Sequence, residues 1–386
     1  MIMEKNQNNE KFFGFDIETI ARSWCYKKRF NTGLPRPLNG KDVQFFLYGR
    51  NALYAILSVL KNEKKLNNIL FPAYSCGDEI EPAKKLGYNI YFYKLKSEKN
   101  FQIDLDDIIK NIEGFNGVLI VTHYLGFVQR DIKVIANYCK KNGIVLIENC
   151  AHCFGTKYNG RAIGTFGDYS IFSIRKNLPL PHGGALIINN NSIIKDINRV
   201  FKNSFYPPSS EAINLDLFIF LGYKLGLFKH GTKITDPLRK LSQPQSLHGP
   251  RLTAYGGYNL ELSYLAKAMI LHINSKELAA LKRKNYLRYL NYFKKNRKDN
   301  FLIAEKLLNG EYPMFFPLYV KDSKALYKKI KEYNITGVQP FWNYMHHFLN
   351  WRFFRNENIL KKGILVLPTY YFIGYKNLKI ILKNVI

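Results

Sequence analysis

A cysteine pair brackets a histidine in Cys150-Ala151-His152-Cys153, directly after the apolar run 144–147 and the polar pair Glu148-Asn149. Two thiols at this spacing can share one metal ion or form one redox centre, since a single turn brings both sulfurs together. A structural zinc needs four ligands, however, and no second pair exists: Cys25, Cys76 and Cys139 are scattered. A thioredoxin-like pair would precede a helix in a short fold of another order. The competing reading is that Cys150 and Cys153 are small packing residues behind a strand end, and no metal is expected.

The elements that must carry this motif alternate between two periods. The β-rich runs NNILFPAY, YNIYFYKL, GVLIVTHYLG, GIVLIENC, YSIFSI and GGALIIN are separated by helical stretches such as ALYAILSVLKN and DIKVIANYCKKN. Continuous apolar strands spaced by amphipathic helices predict an α/β fold whose mostly parallel sheet is covered on both faces, a three-layer arrangement. Ligands of such sheets bind beyond the carboxyl ends of the strands. Segments 149–153 and 124–126 lie just past two of those ends.

From about residue 207 to 258 the pattern becomes irregular (FYPPSSE, ITDPLRKLSQPQSLHGPRL), which reads as part of an insertion over about 196–258. A long helical pattern follows, LSYLAKAMILHINSKELAALKRKNYLRYLNYFKKN, and then MFFPLYV, DSKALYKKIKEYNI and GILVLPTYYF suggest a smaller C-terminal α+β domain. The expected organisation is an N-terminal segment plus large domain over 1–245 and a small domain over 246–386.

Composition narrows the class further. A chain of 386 residues that is 47% hydrophobic can bury a real core. Five cysteines at uneven spacing are not the framework of a small secreted domain, and the opening MIMEKNQNNEKFFGF has no apolar signal region, so a cytoplasmic location is expected. No run reaches the ~18 apolar residues of a membrane span. The formal charge of +29 favours anionic partners, although the basic residues are dispersed as in a Lys- and Asn-rich composition. Nucleic acid is therefore not the expected partner, and peripheral contact with an anionic membrane through the apolar segment 215–228 stays open.

Residues 147–190 as a whole resemble the central segment of the DegT/StrS sugar aminotransferases, pyridoxal-phosphate (PLP) enzymes of fold type I. The matching pieces are Glu148-Asn149-Cys150-Ala151-His152, Tyr158-Asn159-Gly160-Arg161-Ala162-Ile163-Gly164-Thr165-Phe166-Gly167-Asp168, Phe172-Ser173-Ile174, Lys176-Asn177-Leu178 and Gly183-Gly184. The resemblance extends upstream through HYLGFVQRDIKVIANYCKKNGI, YGRNALYAIL and FPAYSCGDEI.

The resemblance implies PLP as cofactor, a keto sugar on a nucleotide carrier as substrate, glutamate as amino donor, and a homodimer. PLP needs a lysine amine to condense with its aldehyde until an incoming amine displaces it. That lysine is Lys176, which then serves as the acid/base. Gly49, Arg50 and Asn51, opening a helix, match the phosphate-binding turn, with Ser173 supplying a hydroxyl. His152 matches the residue beside the cofactor's phenolic oxygen.

Four positions depart from the family pattern. The aspartate that keeps a proton on the cofactor's ring nitrogen is Asn149 here, and an amide supplies no full negative charge. Two residues are missing between Ser173 and Lys176, the usual glutamate before Gly183-Gly184 is His182, and Cys76 stands where an aromatic stacks on the ring, with Tyr74 close by. The dehydratase relatives carry histidine for the lysine, and Lys176 is present. The expected function is amino transfer to a nucleotide sugar in amino-sugar or surface-glycan biosynthesis. The alternatives are a family member that binds without turnover because of Asn149, and a basic membrane- or nucleic-acid-binding protein.

Overall fold

The computed structural model describes residues 33–40, 42–178, 180, 182–206, 257–271, 274–304, 306–341, 346 and 349–385. Most of the expected insertion, the boundary near 245 and the apolar segment 215–228 lie outside them.

Seven strands form the main sheet: β1 (Val43–Phe46), β2 (Asn68–Pro72), β3 (Asn89–Tyr93), β4 (Gly117–Thr122), β5 (Val145–Asn149), β8 (Tyr169–Phe172) and β9 (Gly184–Ile188). Their order is β1-β9-β8-β5-β4-β2-β3. Pairing is parallel from β3 through β8, and only β9 runs against the others. The short hairpin β6 (Lys157–Tyr158) with β7 (Arg161–Ala162) lies between β5 and β8 in the chain.

The apolar runs become strands because both faces are covered. On one face Ile69, Phe71, Val118, Ile120 and Ile147 pack with Leu53, Ile56 and Leu60 of helix α1 (Gly49–Lys64) and Ile80 and Ala83 of α2 (Gly77–Lys85). On the other, Leu70, Leu119, Val121 and Leu146 pack with α3 (Leu105–Ile112) and α4 (Ile132–Lys141). Successive residues of one strand thus serve opposite layers, the period of two expected of a pleated strand. After β9 the chain enters α5 (Ile194–Ser204), whose Phe201, with Phe205 just beyond, packs edge-on against Phe46.

The long basic helical pattern is two helices, α6 (Tyr264–Ile270) and α7 (Ser275–Lys295). The reason is local: Asn274 caps α7 by accepting from the Glu277 amide at 3.2 Å while its own amide donates to the Glu277 carboxylate at 3.1 Å. Ser263 caps α6 with its hydroxyl, which accepts from the Ala266 amide at 3.2 Å. Beyond α7, β10 (Phe315–Tyr319), β12 (Ile364–Pro368) and β11 (Gln339–Pro340) form a small antiparallel sheet, accompanied by α8 (Ser323–Glu332), α9 (Arg355–Gly363) and α10 (Tyr375–Val385). Phe316, Leu318 and Val366 join the same core as Leu119 and Tyr124, so this sheet is seated directly on the large one. Among the described residues no helix is long and apolar enough to cross a membrane.

Candidate active site

The carboxyl ends of β5 and β8 and the first turns of α1 and α2 line a cavity of about 240 Å³. Seven of the eight residues singled out from the sequence line it: Gly49, Arg50, Cys76, Asn149, His152, Ser173 and Lys176. The eighth, Asn51, is turned away, its amide donating to the Tyr258 carbonyl at 2.7 Å. Tyr74 also lies behind the cavity, fully buried between Phe101 and Tyr124, so the stacking position is left to the Cys76 thiol.

Backbone geometry sets the site. Gly184 has no room for a β-carbon, which would lie 2.5 Å from the Gly49 nitrogen, so this glycine lets β9 press against the start of α1. A β-carbon at Gly49 would in turn stand 3.1 Å from the Phe172 carbonyl oxygen. The N-terminus of α1 is therefore wedged beside the end of β8, and among the described residues no side chain caps it. Uncapped amides and the helix dipole favour an anion there. Lys176 follows β8 by a single 3-10 turn, Ile174–Lys176, its amide donating to the Ser173 carbonyl at 3.1 Å. That one turn absorbs the short Ser173-to-Lys176 spacing.

The protonation of the central pair can be read from its partners. His152 Nδ1 accepts from the Leu125 amide at 3.2 Å, and Nε2 lies 3.1 Å from Lys176 Nζ. Burial, and then the Lys176 charge, lower the His152 pKa well below its ordinary value, so the ring is neutral. A neutral imidazole accepting at Nδ1 carries its proton on Nε2. Lys176 Nζ lies against that nitrogen, and desolvation of the amine lowers its pKa from the ordinary lysine value although the residue as a whole is exposed. Leu125 presents its amide from the left-handed region, at φ 55°, strain of the kind stored at functional sites. Phe341, from the small sheet's side, meets the His152 ring edge-on at 5.6 Å.

The residue missed in the sequence is Glu79. It lies on the buried side of α2, 8% exposed, with Ile80 and Ala83. Its Oε1 accepts from Asn149 Nδ2 at 2.6 Å and from the Thr122 hydroxyl at 3.2 Å, while Oε2 has no partner among the described residues. Burial raises its pKa to about 7. A sequence signal existed: a glutamate among apolar residues on the inner side of the helix, with Ala83 rather than a base four positions on. In the cofactor-free protein the folded state keeps this proton up to about pH 7, whereas the unfolded chain releases it near 4.5. Stability therefore falls as pH rises through that window. Urea unfolding between about pH 5 and 7 is expected to show this slope in the parent and to lose on the order of 3 kcal/mol of it in Glu79→Gln.

The opening motif divides into two roles. Cys150 and Cys153 are buried in a core with Phe154, Phe172 and Leu262. His123, Glu148 and Cys150 approach within 4.8 Å of one another. Both Glu148 oxygens are already taken, Oε1 by the amides of Phe166 and Gly167 and Oε2 by the Gly164 amide and His123 Nε2. Glu148 is thus a clasp that ties the loop after β7 to the end of β5. His182 is likewise structural, paired with the Ser263 hydroxyl that caps α6.

The DegT/DnrJ/EryC1/StrS aminotransferase family model matches residues 29–350. The chain belongs to that family. Among DegT/StrS relatives, a GDP-perosamine synthase of Vibrio cholerae is 28% identical over 192 residues, 49% of this chain and 52% of that protein. The chain thus spans about half the length of the curated relatives it matches. Two solved structures share the fold over nearly all of it. A DegT/StrS aminotransferase from Brucella abortus has a TM-score of 0.68 at 13% identity, covering 100% of this chain and 98% of its own. An aminotransferase of Helicobacter pylori involved in pseudoaminic acid biosynthesis has a TM-score of 0.68 at 16% identity, covering 95% and 94%. The large sheet and the smaller antiparallel one are those of the fold type I PLP enzymes.

The DegT/StrS cofactor fits the groups present. An amine of lowered pKa for an aldehyde, a helix N-terminus with no side-chain cap among the described residues for a phosphate, and a buried carboxyl oxygen lacking a partner among them are the donor and acceptor set that PLP requires.

Proposed function

We propose that the chain is a PLP-dependent aminotransferase that replaces the keto oxygen of a nucleotide-linked sugar with an amine, taking glutamate as donor, in amino-sugar or surface-glycan biosynthesis. The observation that carries this reading is the Lys176 amine held 3.1 Å from His152 Nε2 at the lining of the cavity. PLP, when bound, supplies an electron-withdrawing ring that makes the carbon bearing the substrate amine acidic.

The chain's own residues supply the remainder. With its pKa lowered, Lys176 reaches the nucleophilic amine form more readily than an ordinary lysine, and the same amine can take a proton from a substrate carbon and return it. The α1 N-terminus, with Arg50 and the Ser173 hydroxyl beside it, is the end suited to phosphate. The guanidinium groups of Arg50 and Arg175 lie over the Tyr48 ring, 4.6 and 5.0 Å from its centroid, and all three residues line the cavity. Arg175, with Arg50 held beside it by Asp78 at 3.1 Å, would draw in the diphosphate of a nucleotide sugar, a preference in line with the name of the Vibrio relative. A cytoplasmic homodimer is the proposed assembly, testable by light scattering.

The deciding experiment follows the absorbance of PLP-loaded protein on adding glutamate and then a GDP-linked keto sugar, with mass spectrometry of the product. Glutamate is expected to convert the cofactor to its aminated form, and the sugar to convert it back while gaining an amine. A spectrum that glutamate leaves unchanged would favour a family member that binds without turnover. Salt-sensitive retention on DNA or anionic vesicles, with no cofactor uptake, would return the basic-surface reading.

A further inference from the structure

Asn149 stands where the family pattern has the carboxylate that keeps the cofactor's ring nitrogen protonated, and among the described residues only two carboxylates line the cavity, Asp78 and Glu79. Asp78 is occupied: its oxygen lies 3.1 Å from the Arg50 guanidinium, and its side chain is 32% exposed, so its charge is both paired and screened. Glu79 is different in each respect. It is buried, it makes no ion pair among the described residues, and it touches Asn149 itself at 2.6 Å. A buried carboxyl oxygen left without a partner is costly unless a cationic or N–H donor docks against it.

We propose that Glu79 holds the proton on the ring nitrogen, with Oε2 as the acceptor and with Asn149 and Thr122 fixing the carboxylate through Oε1. The charge has moved from the end of β5 to the first turn of α2, and Asn149 has become its positioning residue. Its Oδ1 is spent on the Ala151 amide at 3.0 Å, which orients the amide nitrogen toward Glu79. The groups facing Glu79 are consistent with this: Thr122 from β4, Asn149 from β5, Lys176 beyond β8, and among the described residues no guanidinium bonded to it.

The arrangement also dictates what restoring the family residue does. Asn149→Asp alone places two carboxyl groups at contact distance, where they share one proton and add no second charge. The substitution helps only where Glu79 has been neutralised.

The inference rests on the PLP reading, and the experiment separates the two. Protein loaded with PLP carrying a nitrogen-15 ring is examined by NMR, alongside the affinity of the apo protein for PLP and for its 1-deaza analogue, which has carbon at the ring-nitrogen position. The parent is expected to show a protonated ring nitrogen and to favour PLP by roughly 10-fold or more. Glu79→Gln is expected to lose both, and Glu79→Gln/Asn149→Asp to regain both. A protonated ring nitrogen in Glu79→Gln, or an unprotonated one in the parent, overturns the assignment. Equal affinity of the parent for the two compounds does so without any variant. Absence of the lysine-linked absorbance band in the parent overturns the PLP reading and this inference with it.

Discussion

Lys176→Ala is expected to abolish the visible absorbance band of protein-bound PLP and to slow the reaction with glutamate by about 10³-fold or more, because it removes both the covalent anchor and the acid/base. Lys176 is exposed and makes no ion pair among the described residues, so folding loses little. Its hydrogen-bond partner His152 keeps the Leu125 amide on Nδ1, and Nε2 faces the cavity, where water can replace the amine. Unfolding of the apo variant is accordingly expected within about 1 kcal/mol of the parent, which separates a chemical loss from a folding one. Lys176→Arg is the sharper control. A guanidinium remains charged and cannot condense with an aldehyde, so it should fail as completely as alanine while also obliging His152 to face a cation. Appreciable glutamate-dependent conversion in either variant would show that another amine does the work.

Much of the fold was legible because the strands are buried on both sides, so their sequences are unbroken apolar runs such as GVLIVT and GALII. Strand β1, VQFF, was not: four residues with Gln44 inside become a strand only because β9 pairs with them. The site was legible where chemistry is tied to local sequence, as with Lys176 one turn beyond β8 and His152 beyond β5. Asn51 shows the limit. It sits at the expected helix start, yet its side chain direction is decided by the carbonyl of Tyr258, some 200 residues away. Glu79 was legible only in part: its helix side carries Ala83, yet an acidic residue in the first turn of a helix ordinarily faces solvent and interacts with the dipole. Only the tertiary position of α2 against Thr122 and Asn149 turns it inward. The departure at Asn149 and the glutamate at 79 are one feature, which a reading position by position separates.

Glu148→Ala is expected to cost about 3–5 kcal/mol of stability, the range for leaving a buried, hydrogen-bonded charge network without its centre. Three backbone amides and an imidazole converge on this carboxylate, and none can turn to another acceptor: the amides of Gly164, Phe166 and Gly167 are fixed in the loop, and His123 accepts the Gln129 amide on Nδ1, which commits its proton to Nε2. Glutamine is not a conservative replacement here. Each carboxylate oxygen receives two donors, so whichever end the amide NH₂ occupies would meet two N–H groups instead of an acceptor. Glu148→Gln should therefore recover little of the alanine loss, and urea unfolding of both variants checks this. The effect should reach the cofactor site too, because Glu148 directly precedes Asn149, and a loosened strand end shifts the amide that holds Glu79. Weaker PLP binding than in the parent, measured where both proteins are folded, is the expected companion result, and unchanged affinity would mean that the clasp serves the fold alone.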